Sequence, residues 1–354
     1  MGIYPNTYVY NEGVASSPKV IRPGIAGRIA VIGAFNTEET TPQSFDNLKE
    51  AQKTLGTDST FNGCDVLPIL MEGATSILAV NFTTWSGSGN SKTADKSLTP
   101  SKLSDALAKI KHEEFDILFV AEELLDTTIP IISEFLAEIY EVKNPACYTG
   151  AINRSTKAAY LTTLNLAGDY CAGLISQQVI VNGNLLSLLE SSAYYASVIA
   201  SLNVGNSMTK KTLPNVTGIT PAYTFEDGDD GLAYLTAGMT IFECVNSLND
   251  EYCVVNSEQP NGLDLYIVRS ENYIIRQFQL RQYLGDKNKP KTLNEVKQEL
   301  DRVKKLCVET LDLVEDINYT ATKTAGNCLD IYLETMKFAS VLTTINMHIL
   351  IEVD

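Results

Sequence analysis

The sequence predicts an α/β middle domain with a largely parallel sheet, then an α+β C-terminal domain, with extended strand arms at both ends. Three observations predict it. Apolar strand-like runs alternate with amphipathic helical stretches from residue 28 to 203, the pattern of parallel strands joined by crossover helices. A stretch rich in Gly, Pro, Asn and Asp breaks that pattern at 204–231. Beyond it strand and helix patterns mix, and the chain closes on the near-strict alternation of TINMHILIEVD, 344–354.

Residues 1–20 contain Tyr, Pro and Gly with only short strand-like pieces such as Tyr8-Val9-Tyr10, and read as an extended arm. RIAVIGAF (28–35) reads as a buried strand. TPQSFDNLKEAQKTLG (41–56) reads as a helix with Thr41 as N-cap, Pro42 in its first turn and Gly56 at its end. Strands follow at 76–85, 115–121 and 146–152, with helices at 99–114, which repeats the Thr-Pro start, and at 126–143. A helical stretch near 154–166, a strand near 177–182 and a helix across 187–203 complete the layer.

In the second part, 238–258 reads as a hairpin turning at Asn249-Asp250, and LDLYIVR (263–269) as a strand. A long helix follows. Its stripe is Leu293, Val296, Leu300, Val303, Cys307, Thr310, Val314 and Ile317, spaced alternately three and four. Such a stripe serves a short coiled coil or packing on the domain's own sheet; its Cys, its Thr and its short length favour the sheet. NCLDIYLETM (327–336) and the tail read as strands. The expected division is an arm at 1–20, the middle domain at 21–220, the C-terminal domain at 221–343 and a linking strand at 344–354.

Composition bounds the function. The chain is 44% hydrophobic and 20% charged, as globular proteins are. No apolar run reaches the roughly 18 residues of a membrane span. MGIYPNTYVYNEG lacks the basic and apolar regions of a signal peptide, so cytosolic synthesis is the expectation. The seven cysteines (64, 147, 171, 244, 253, 307 and 328) form no CxxC and read as reduced, mostly buried residues rather than a metal site. The net charge of −16 opposes general nucleic-acid binding. Residues 276–305 depart from it, with nine Lys/Arg against four acids.

Catalytic motifs are absent. SGSGNSKT (86–93) lacks the glycine before Lys92 that a phosphate loop needs, and reads as a flexible loop. In PGIAGRIAVIGAF (23–35) Gly24 and Gly27 precede the strand, where a dinucleotide fingerprint places them after it. FEDGDDG (225–231) has the wrong spacing for an EF-hand and reads as a solvated turn, with weak cation binding left open. His112 and His348 lie far apart and activate no serine. No catalytic, cofactor or metal residues are expected, and the chain is not expected to be an enzyme.

Taken in order, PGIAGRIAVIGAFNTEET with SFDNLKEAQKTLG, LTPSKLSDALAKIKHEEFDILFV, YYASVIASLNVGNSMTKKTLPNVTGI, GLAYLTAGMTIFECVNSLNDEYCVVNS with DLYIVRSENYI, and the closing INMHILIEVD resemble contractile tail sheath proteins of myophages and of R-type, phage-tail-like bacteriocins. The resemblance implies hexameric rings stacked helically around an inner tail tube, which contract to drive the tube through a cell envelope. It implies a C-terminal domain near the tube and a middle domain outside. The implied partners are other copies, the tube protein, and baseplate and tail terminator proteins, with no nucleic acid, cofactor or membrane insertion. Assembly in the bacterial cytoplasm and release by lysis follow from it. Terminal arms would exchange strands, through Ile3, Tyr4, Tyr8, Val9 and Tyr10 at one end and Ile345, Met347, Ile349, Ile351 and Val353 at the other. Arg276, Arg281, Lys287, Lys304 and Lys305 are candidates to face the tube; the same charges also fit a solvated helix face. The alternatives are the sheath of another contractile injection system and a soluble α/β enzyme with an unrecognised site.

Overall fold

The computed structural model describes residues 27–88, 91–246, 251–278, 290–323 and 329–339. Its first elements are β1 (Arg28–Gly33), β2 (Gln43–Phe45), α1 (Leu48–Leu55), α2 (Asn62–Gly73), β3 (Ser76–Asn81), the hairpin β4 (Thr84–Ser86) and β5 (Thr93–Asp95), α3 (Pro100–Lys109), β6 (Ile117–Val120), α4 (Ile129–Glu141), β7 (Cys147–Ala151), α5 (Lys157–Asn165) and β8 (Cys171–Ile175). Six strands form one sheet in the order β2-β3-β1-β6-β7-β8. All pairs are parallel except β2 with β3 at one edge. Strands buried on both faces need continuous apolar runs, and β6 supplies one with Ile117, Leu118, Phe119 and Val120 all buried. The largely parallel α/β layer is therefore present as the alternation predicts.

Then come β9 (Gln178–Val181), β10 (Asn184–Leu185), α6 (Leu188–Ser201) and β11 (Val216–Thr220), whose strands make a small antiparallel sheet in the order β10-β9-β11. A capping box holds the start of α6: Ser187 accepts from the Glu190 amide while the Glu190 carboxylate accepts from the Ser187 amide. Last are α7 (Asp230–Thr236), the hairpin β12 (Phe242–Asn246) and β13 (Glu251–Val254), α8 (Leu265–Gln277), α9 (Pro290–Lys305), one π-helical turn at Leu306–Thr310, β14 (Asp316–Lys323) and β15 (Leu329–Lys337).

Three expectations differ from this. The helix expected from Thr41 starts at Leu48, because Asn47 Oδ1 takes the Glu50 amide at 2.9 Å and residues 43–45 are taken by β2. Gly56 does end that helix, at φ 94°. The strand expected at 263–269 is instead the start of α8, capped by Asp264 accepting from the Tyr266 amide at 3.0 Å. The long helix stops at Lys305, and Ile317 belongs to β14. Several elements, among them α2, β8, β11, α7 and β14, were not expected. In α2 the sequence carries Pro68 and two glycines, which mask a helix. Those glycines have a packing reason: a Cβ on Gly73 would lie 1.9 Å from the Ser197 carbonyl oxygen, so α2 and α6 meet backbone to backbone.

Among the described residues there are two hydrophobic cores. The larger fills the α/β layer and also takes Tyr234, Met239, Phe242, Val254, Leu265 and Val268. The smaller joins Ile274 and Phe278 of α8 with Val296, Leu300 and Val303 of α9, Cys307, and Ile317 of β14. The two cores divide along α8. The stripe of α9 packs on its own sheet, as one of the two readings of that stripe expects.

Candidate functional site

The candidate surface is the β14–β15 pair. Ile317, Tyr319 and Ala321 alternate inward on β14, and Ile331 and Leu333 do so on β15. The inward series then jumps to Met336, because a bulge skips Glu334 between the pairs Asn318–Thr335 and Tyr319–Leu333. Tyr332 points outward and is 55% exposed. Among the described residues neither outer edge of this pair bonds to another strand. Open edges of this length accept a further strand or aggregate. The sequence signal for β14 was present in the alternation of INYTATK, but the apolar spacing of the preceding helix ran over it.

This pair and α9 are tied to the layer through α8. Arg276 pairs with Asp116 and also donates to the carbonyls of Phe115 and Pro145. Asp116 in turn accepts the Arg28 backbone amide at 3.1 Å, so one carboxylate joins the starts of β1 and β6 to the end of α8. Tyr140 donates to Glu271 at 2.7 Å. Within α8 the fully buried Arg269 donates to the Leu202 carbonyl at 3.2 Å, and burial pushes its guanidinium down to about 10. At the other end one Asp264 oxygen accepts from Ser207 and Ser257 at 2.8 Å and Thr209 at 3.1 Å.

Among the described residues, four of the nine basic residues of the stretch pair with acids of the same chain. Arg276 is committed to Asp116, with only 16% of its side chain exposed, and so does not project outward as a tube-facing residue would. Lys304 pairs with Asp316 at 2.8 Å, and this hydrogen bond holds the Asp316 carboxyl below its usual range. Lys305 lies 3.5 Å from Glu309 with 69% of its side chain exposed, and Arg302 pairs with Glu299. Arg281 and Lys287 lie outside the described residues. So do Ile3, Tyr4, Tyr8, Val9, Tyr10, Ile345, Met347, Ile349, Ile351 and Val353.

The place where doubly wound sheets bind ligands is filled here. That crevice opens at the carboxyl ends of the strands where their order reverses, between β1 and β6. Gly63 at the start of α2 sits there, its amide donating to the Ala34 carbonyl at 2.9 Å. A Cβ on Gly33 would meet the Gly63 Cα at 2.9 Å and the Ala121 Cβ at 3.1 Å. Glu122 beside it is raised in pKa by burial, offset in part by a hydrogen bond from Asn62. Residues 86–93 connect β4 to β5 rather than a strand to a helix, and Lys92 pairs with Glu38. In the acidic turn Asp230 pairs with Lys157 at 3.0 Å, and among the described residues no group of three ligating side chains could hold a metal ion.

Comparison places this architecture. No family model matches the sequence, and no curated protein does. Solved structures do match in three dimensions. The sheath tail protein of Desulfitobacterium hafniense covers 91% of this chain and 93% of its own at TM-score 0.65, with 12% identity. The helical sheath of the anti-feeding prophage in its contracted state covers 98% and 99% at 0.62 and 12% identity. A chain of the anti-feeding prophage baseplate covers 100% of both at 0.64 and 11% identity. The chain thus has the fold of these tail sheath proteins.

Proposed function

We propose that the chain is the structural subunit of a contractile tail sheath. In this reading it polymerises as stacked hexameric rings around an inner tube and contracts to drive the tube through a target envelope. Baseplate and terminator proteins bound the ends, and the particle assembles in the bacterial cytoplasm before release by lysis. The observation that carries the reading is the β14–β15 pair, open-edged among the described residues, in a chain whose fold is similar to that of a contracted helical sheath. The strand around Ile345, Met347, Ile349, Ile351 and Val353 would add to that pair in one neighbour, and the segment with Ile3, Tyr4, Tyr8, Val9 and Tyr10 would link to another. Donation head to tail is heterologous and propagates into rings and helices. The unit around α9 lies inward, with Lys304 and Lys305 toward the tube, and the α/β layer lies outward.

Contraction in this scheme needs no active site. Subunits move as rigid bodies with the arms as hinges, and the extended form is kinetically trapped. Negative-stain electron microscopy of the expressed chain tests the reading. Long hollow tubes are the expected result; discrete monomers or dimers under all assembly conditions would refute it.

A further inference from the structure

An open cleft of about 660 Å³ lies between the β10-β9-β11 sheet and the β12–β13 hairpin. Ile180, Ile219 and Tyr252 line it with apolar surface, and Glu226 and Glu243 stand on its wall. Val245, next to the lining residue Cys244, is 57% exposed. The charge there is acidic. Lys210 pairs with Glu243 and Lys157 with Asp230, while Glu226 continues into Asp227 and Asp229, whose carboxylate accepts the Glu226 amide at 3.0 Å.

A chain of net charge −16 repels its own copies unless a basic region of one meets an acidic region of the next. Of the nine basic residues of the 276–305 stretch, Arg276, Arg302, Lys304 and Lys305 pair with acids of the same chain. The segment RQYLGDKNKPK, 281–291, carries Arg281, Lys287, Lys289 and Lys291 against the single acid Asp286, with Tyr283 and Leu284 among them. Its chemistry is the complement of the cleft: two large apolar side chains for the lining, cations for the acidic wall.

We infer that the cleft between β11 and β12 docks residues 281–291 of a second copy of this chain. This rests on the sheath reading and assigns Arg281 and Lys287 to a contact between copies rather than to the tube. The contact is electrostatic at its rim and weakens with salt.

Two measurements test it separately from sheath formation. A fluorescein-labelled peptide of residues 279–291, titrated with the full chain at low salt and read by fluorescence anisotropy, is expected to bind. The affinity should fall about tenfold or more with Glu226→Lys plus Glu243→Lys, in a protein whose circular dichroism is unchanged, and with Glu226→Gln plus Glu243→Gln to a lesser degree. In the full chain, the double Lys variant should lose assembly, and adding Lys287→Glu with Lys289→Glu should restore it. Absence of peptide binding overturns the inference, as does binding without rescue by the charge swap. A wild-type chain that binds the peptide yet never forms tubes would instead count against the sheath reading alone.

Discussion

Single atoms decide much of this fold. Gly73 allows α2 and α6 to touch, since a Cβ there would sit 1.9 Å from the Ser197 oxygen. Gly73→Ala therefore has to push two helices apart, and overpacking of this kind costs about 2–3 kcal/mol. The urea midpoint should drop accordingly without loss of helix content; an unchanged midpoint would mean the helices can slide. The cysteines act as small apolar groups. Burial pushes the thiols of Cys147, Cys171, Cys253 and Cys307 up to about 12, and Tyr148 and Tyr195 shift upward for the same reason. A free thiol ionises near pH 8.5. Above that the unfolded chain gains charge that the folded chain refuses, so stability is full below about pH 8.5 and falls as pH rises toward 12. Urea midpoints at pH 8 and pH 10 should differ in that direction. Among the described cysteines Cys244 is the exposed one and should be alkylated first by iodoacetamide.

At the scale of elements, α8 joins the two cores. Its first half packs Leu265 and Val268 into the layer, and its second half packs Ile274 and Phe278 against α9. Arg276 fixes its end to Asp116. Removing one partner of a pair this buried leaves the other unmatched, a loss of about 3 kcal/mol. Arg276→Ala should lower the urea midpoint strongly, while Lys305→Ala, at an exposed pair, should barely move it; equal effects would deny the clamp. This helix was also the least legible element. Its polar stripe of Arg269, Asn272 and Arg276 is drawn inside along with Leu265, Tyr266, Val268, Ile274 and Ile275, so the apolar-in, polar-out pattern does not mark it and LDLYIVR passes for a strand. Asp264 was the readable sign of a helix start. By contrast β1, β3, β6 and β7 were legible because continuous apolar runs have few other uses. The α3 start was legible because Thr99 caps it, accepting from the Lys102 amide at 3.3 Å ahead of Pro100. Sequence pattern also gave the basic stretch, but not that Asp116, Glu309 and Asp316 answer it, since that depends on where β6 and β14 meet α8 and α9.

The whole molecule is uneven. Among the described residues one large core stabilises the α/β layer, while the second core is closed on one side by two strands. An isolated two-stranded sheet is marginal in water and becomes robust with further strands. Strand addition from neighbouring copies would therefore complete the weaker unit and link the array in one step. The same bulge that returns Met336 to the core twists β15, which limits the edge to a partner that follows its curve. If the C-terminal strand is donated to a neighbour, deleting residues 345–354 should leave a soluble, folded monomer. That monomer should form no tubes. Hydrogen exchange should report fast amides on the outer edges of β14 and β15 in the truncated chain, and slow ones in assembled full-length protein. Tubes formed by the truncated chain, or edge amides equally protected in both states, would rule out donation by the C-terminal strand and require the link between copies to run through other surfaces.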